Sequence, residues 1–313
     1  MNMPFSVTDG APVVIVPSNT ADVRRIDGDW SRWRVAGKAL ATDGFERDCL
    51  HWQVHAHAPV RLLGEAVAPD SPAQWCAAID PVFLQADMRD VQIRNWPRRD
   101  VTGDVAADYV QMINEFLADD PEPRLRAMRV FQADPSRWYL LGQLDDALQV
   151  TAEAPGMLVG KPLRHAKPGG QDAPIAIRLT TELQMLTHQI AERRAAAANA
   201  HLPINGVWIW GAGVEPEDVK TQPLPALCSD DPFWVGCWRL AGQKSAVQPV
   251  DPTSALVEGG VVAPLTVNAA KQAIEYALSS AFGRVRIVAT DGELDMRRAG
   301  WLRRQWRQLG RGT

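Results

Sequence analysis

The run from Leu179 to Gly213 constrains this chain more than any other, because a long helical pattern passes directly into a short apolar strand that ends on glycines. Leu179, Leu183, Leu186 and Ile190 recur at helical spacing, Ala195 to Ala198 are strong helix formers, and Pro203 closes the segment. The period then changes. Ile204-Asn205-Gly206-Val207-Trp208-Ile209-Trp210-Gly211 reads as a buried strand in which both indoles lie on one side of a sheet and Val207 and Ile209 on the other. Its glycines allow a sharp exit or the close approach of another backbone. The plain reading is a helix–strand unit in a core, and the expected fold class is mixed α/β.

The rest of the chain extends the pattern. Its 313 residues, 46% hydrophobic and 22% charged, can bury a large core, and we expect one elaborate domain or two. Three segments are expected, at 1–75, 76–213 and 214–313, the first boundary at Pro69-Asp70-Ser71-Pro72. The first gives a strand at Val13 to Val16 and a helical pattern over Trp30 to Leu40. In the second, strands at Ala78 to Ala86 and Val91 to Trp96 precede an amphipathic helix carrying Val105, Tyr109, Met112, Ile113 and Phe116, with Asp104 as N-cap. Strands follow at Ala127 to Gln132 and Trp138 to Gly142, then a Gly/Pro/Lys-rich loop from Gly160 to Pro174. The third segment gives a strand at Phe233 to Leu240, a helix from Asn268 to Ser280, a strand at Val285 to Ala289 and a turn signal at Asp291-Gly292. Met296 to Arg311 reads as a basic amphipathic helix. Its face of Trp301, Gln305 and Leu309, with Leu302 and Trp306 adjacent, opposes arginines that would be solvated or would meet an acidic partner, a membrane surface or nucleic acid.

Charge and cysteine usage exclude several classes. A net charge of −4 and a pI near 5.9 do not suit a general nucleic-acid binder, which must neutralise phosphates. Cys49, Cys76, Cys228 and Cys237 contain no CxxC pair, so neither a zinc ribbon nor a redox motif is indicated, and reduced core cysteines are expected. There is no charged-then-apolar leader and no apolar run approaching 18 residues. The expectation is a cytoplasmic protein with no membrane span. Twelve tryptophans against three tyrosines provide core and interface packing, or a partner-binding surface.

The histidines offer one candidate metal cluster. His51 and His55 stand at i,i+4, as zinc ligands on a helix do, yet Leu50 to His57 alternates equally well as a strand with His51, His55 and His57 on one face. No glutamate stands between them to serve as a base, and a solvated polar face is the default. No metal site and no cofactor are assigned.

Four pieces together resemble a known family. They are Ile79-Asp80-Pro81-Val82-Phe83-Leu84-Gln85-Ala86-Asp87, Arg137-Trp138-Tyr139-Leu140, Leu158-Val159-Gly160-Lys161-Pro162-Leu163, and the "PINGVWIWGAG" strand from Pro203. In this order they resemble the archaeal-type cofactor-independent phosphoglycerate mutases of the alkaline phosphatase superfamily, and more closely their truncated bacterial relatives, the RpfE-type regulatory proteins. The resemblance covers Cys76 to Gly213 and implies a mutase-like sheet-and-helix architecture with a reduced phosphatase core. There are departures. Where the mutases carry "PVNxxR" after a histidine, this chain reads Gln189-Ile190-Ala191-Glu192-Arg193-Arg194, so the asparagine position is Ala191. Nor does the opening strand deliver the mutases' Asp-Gly-hydrophobic-Gly-Asp ligands, and a two-metal phosphoryl-transfer site needs such a cluster.

The reading that results is a non-catalytic, phosphoglycerate-mutase-like binding or regulatory protein, with no catalytic residues assigned. The alternative is a divergent metal-dependent phosphatase or mutase drawing on Asp43, Asp48, Asp80, Asp87 or Asp90 with the three histidines. A second alternative is a nucleic-acid accessory protein using the Arg-rich end. A small anionic ligand would bind where the first, third and fourth pieces converge, at Asp87, Lys161, Arg194, Asn205 and Trp210. Another protein is the expected partner, met by Trp301, Arg303, Arg304, Trp306 and Arg307.

Overall fold

The structure is a computed structural model that describes residues 13–15, 33–39, 56–98, 100–195, 204–217, 219, 226–242, 256, 261–263, 267–279, 282, 284–289 and 292–298. Strands β1 (Val13–Ile15) and β2 (Trp33–Ala39) come first, then helix α1 (His57–Gly64) and strands β3 (Trp75–Ala86) and β4 (Val91–Asn95). Helix α2 (Gly103–Ala118), strands β5 (Arg129–Asp134) and β6 (Arg137–Gly142), helix α3 (Ala173–Ala195) and strand β7 (Gly206–Val214) follow. The chain continues through β8 (Leu227–Cys228), helix α4 (Pro232–Leu240), β9 (Val261–Val262), helix α5 (Val267–Ser279), β10 (Arg284–Ala289) and β11 (Gly292–Arg298). The fold is mixed α/β.

These elements form two compact units, one from 51–218 and one from 1–50 together with 219–313. The first and last stretches of the chain, read above as separate segments, share a sheet because β1 runs parallel to both β10 and β9. That sheet has the order β2-β11-β10-β1-β9-β8, parallel from β10 to β8 and antiparallel at β10–β11 and β11–β2. Helix α5 spans the connection from β9 to β10 and buries Ala270, Ala273, Ile274, Ala277 and Leu278 with Val14, Val262, Val285 and Ile287.

The continuous unit holds a five-stranded antiparallel sheet. Strand β3 is its spine, pairing with β6 over Trp75–Ala78, with β4 over Phe83–Ala86 and with β7 over Trp75–Val82. Pro81 has no N–H to give to a ladder, and it falls between the stretches paired with β6 and β4, where β7 is the partner of β3. Alternation then sorts the side chains. Trp75, Ala77, Ile79, Trp138, Leu140, Val207 and Ile209 enter one core with Ala106, Tyr109, Ile113 and Leu117 of α2 and Ala176, Leu179, Leu183 and Ile190 of α3. Cys76, Ala78, Val82, Tyr139, Leu141, Trp208 and Trp210 form the opposite core, closed by Ala58 and Leu62 of α1. Each fully buried large aliphatic contributes about 1.5–3 kcal/mol. Both indoles of β7 thus lie on one face.

Three expectations are corrected. Trp33–Ala39 is a strand paired with β11; the apolar residues Trp33, Val35 and Ala39 alternate with Arg34 and Lys38, and Gly37 disfavours a helix interior. Pro232–Leu240 is a helix, started by Asp231, whose side chain accepts from Phe233 N, and by Pro232 in the first turn. The N-cap of α2 is Thr102, leaving Asp104 in the first turn, where its charge favours the helix dipole. Met296, Arg297 and Arg298 belong to β11, and the rest of the expected terminal helix lies outside the described residues.

Candidate functional site

Two features of the continuous unit bring together groups able to carry chemistry. The first is a buried polar chain around Asp80, whose side chain points into the Trp208/Trp210 face of the sheet. Asp80 is 0% exposed. Its Oδ1 accepts from Arg61 Nη2 at 2.7 Å, and its Oδ2 accepts from Arg61 Nη1 at 2.8 Å, Trp210 Nε1 at 3.1 Å and Trp96 Nε1 at 3.3 Å. Arg61 Nε donates to the Tyr139 hydroxyl at 2.8 Å, which donates to Glu65 Oε1 at 2.7 Å. Arg137 closes the chain with two bonds to Glu65, at 2.7 and 3.0 Å. The Arg61 guanidinium also lies 4.7 Å from the Tyr139 ring centre and 5.3 Å from that of Trp210. Burial works against the charge on Arg61, but Asp80, Tyr139 and Glu65 together outweigh it and hold the guanidinium charged. Burial likewise raises the Tyr139 phenol and the Cys76 thiol well above their ordinary ranges, so both are neutral. With these commitments, the polar atoms of the chain serve one another and hold α1 on the sheet.

The second feature is a cleft of about 370 Å³ between α3, the turn at 163–168 and β7. Helix α3 supplies a stripe of Ile177, Thr180, Thr181 and Gln184, at i, i+3, i+4 and i+7. The 163–168 turn contributes Arg164 and Lys167 with Leu163, Ala166 and Pro168, and Trp208 and Ile209 meet the cleft from β7. Arg164 pairs with Asp90 and also donates to His165 Nε2 at 3.0 Å. The Thr180 and Thr181 hydroxyls donate to Ala176 O and Ile177 O at 2.7 and 2.8 Å.

The residues expected to bind a ligand are distributed differently. Asp87 caps the β3–β4 turn, its Oδ1 accepting from Arg89 N and Asp90 N, and these amides hold its carboxyl below the usual range. Asn205 acts as a piece of strand, accepting from Leu84 N and donating to Leu84 O, both at 2.7 Å. Trp210 is buried on Asp80 and on the ring of His57, whose centre is 4.4 Å away. Lys161 is exposed on a turn that bridges to β4 through Gln92 and Pro162. Thus the three sequence pieces do meet in one sheet region, and of the candidates whose side chains are described, Asp87, Lys161, Asn205 and Trp210, none lines the cleft. The Arg194 side chain, His51, His55, Asp43, Asp48, Trp301, Arg303, Arg304, Trp306 and Arg307 lie outside the described residues. Among the described residues there is no group of three or more His, Cys, Asp or Glu that could hold a metal, and no helix long and apolar enough to cross a membrane.

Sequence reasoning missed Arg61, Arg164 and Lys167. The signal for Arg61 was a lone cation in the apolar run His57–Gly64. The cleft cations sat in a loop recognised by composition alone, opposite a helix whose polar stripe went unread.

No family model matches the chain, and no curated protein does. Solved structures similar to it include the cofactor-independent phosphoglycerate mutase from Thermoplasma acidophilum DSM 1728, at 13% identity over 93% of this chain and 90% of that one, with a TM-score of 0.38. The PH0037 protein from Pyrococcus horikoshii aligns at 12% identity over 93% of this chain and 88% of its own, with a TM-score of 0.41.

Proposed function

We propose that this chain is a non-catalytic, phosphoglycerate-mutase-like binding or regulatory protein that does not transfer phosphoryl groups. One observation carries the reading: the carboxylates of the mutase-like strand are already engaged. Asp80 is buried and accepts four hydrogen bonds from Arg61, Trp96 and Trp210, and Asp87 caps a turn. A divergent metal-dependent enzyme using these groups would have to expose and release them, at the cost of an unpaired buried guanidinium. The altered Ala191 position and the opening strand without ligand motif support the same reading, as does the cleft, which offers cations and apolar surface for binding. A protein partner, met through Trp301, Arg303, Arg304, Trp306 and Arg307, belongs to this proposal.

The test is elemental analysis of the purified protein together with phosphatase and mutase assays in added Mn²⁺. The expected result is no stoichiometric metal and no turnover. Two metals per chain with Mn²⁺-dependent turnover would overturn the reading and direct mutagenesis to His51, His55 and His57.

A further inference from the structure

We infer that the cleft between α3 and the 163–168 turn is a binding site for a small monocarboxylate with an apolar body. The inference deepens the binding reading and rests on it. Three observations lead to it.

Charge comes first. Two cations line the cleft, but Arg164 is paired with Asp90, itself a lining residue. Lys167 is exposed and makes no ion pair or hydrogen bond among the described residues, so the cleft carries one uncompensated positive charge. A ligand with one negative charge matches it; a phosphate monoester near its dianionic form would leave a charge over.

Shape and surface come second. At about 370 Å³ the cleft falls within the range of small-molecule sites, about 300–1,000 Å³. Val91, Leu163, Pro168, Ile177, Trp208 and Ile209 make most of its wall apolar. Val91 and Ile177 remain 38% and 40% exposed. An apolar ligand body would cover that surface and remove it from water.

The third observation is the placing of donors and acceptors. The threonine hydroxyl protons are spent on α3 carbonyls, so Thr180 and Thr181 retain acceptor capacity, whereas Arg164 and Lys167 bring donors from the 163–168 turn. An anionic group is therefore directed to the 163–168 side, with the ligand body lying toward α3 and Trp208.

Isothermal titration of the full chain with naphthalene-1-acetate and with octanoate tests this, against 2-(1-naphthyl)ethanol, octanol and 1-naphthyl phosphate. Saturable one-to-one binding of at least one carboxylate is expected, with its alcohol weaker by roughly tenfold or more, since a hydrogen bond to a charged group is lost. Lys167→Gln should weaken the carboxylate by a similar factor and leave the alcohol unchanged, Ile177→Trp should abolish both, and Lys271→Gln, an exposed residue of α5 that does not line the cleft, should change neither. Unchanged thermal unfolding of Lys167→Gln separates a lost contact from a lost fold. Carboxylate binding indifferent to Lys167→Gln, alcohols binding as tightly, the phosphate binding most tightly, or no binding at millimolar concentration would each overturn the inference. Mn²⁺-dependent turnover would instead overturn the non-catalytic reading, whatever the carboxylates do.

Discussion

A single residue, Asp80, shows how a buried charge can organise a fold. Its carboxylate joins α1 to β3 through Arg61 and takes the indole protons of Trp96 and Trp210. Replacing an ion pair by apolar groups is often neutral, but here it would strand two indole donors as well. Asp80→Asn keeps the shape and removes the charge, leaving Arg61 buried without its paired carboxylate. We expect a loss of about 3–5 kcal/mol, read as a lower urea midpoint with unchanged slope. Asp80 was visible in the sequence as a member of the Ile79–Asp87 piece. Its partner was not, because Arg61 lies on another element and no local spacing links them.

At the scale of elements, the strands are finished by side chains as well as by ladders. Asn205 continues the β3–β7 pairing beyond Gly206 with its amide, and Asn114 of α2 does the same for Val130 on β5, donating to its carbonyl at 3.0 Å and accepting from its N–H at 2.6 Å. An aspartate at 205 could still accept from Leu84 N but would oppose a carboxylate to Leu84 O. Asn205→Asp should therefore destabilise by about 1–3 kcal/mol at pH 7 and recover part of this below about pH 4, where the acid can donate again; urea unfolding at the two pH values checks it. The helix and strand around the Trp-bearing segment were legible because their periods differ sharply. Trp33–Ala39 was misread although its apolar and charged residues alternate, and Pro232–Leu240 because its aromatic run has no clear period; strand pairing in one case and an Asp-Pro cap in the other decided the outcome. The close approach allowed by the glycines of β7 occurs at Gly211, whose φ of 63° and distance of 2.9 Å from an added Cβ to His57 Cβ leave no room for a side chain.

For the molecule as a whole, two lowered carboxyls make stability sensitive to acid. The Arg124 guanidinium holds the Asp172 carboxyl below the usual range, helped by Gln149 N; burial pushes the Asp120 carboxyl up, but Arg178 and Glu122 N outweigh it and bring it down. A carboxyl lowered on folding contributes stability above its unfolded pKa, about 3.9, and loses it as pH falls through the folded value. Urea midpoints should therefore be flat near neutrality and decline from about pH 5 downward, and Asp172→Asn should flatten that decline. The order of chain segments has a further consequence. The unit at 51–218 is continuous, whereas Val14 finds its sheet partners Val262 and Ile287 only near the other end of the chain. During synthesis the inserted unit can close its two cores while β1 still waits, so the ribosome must deliver β9 and then β10 before β1 has both of its sheet neighbours.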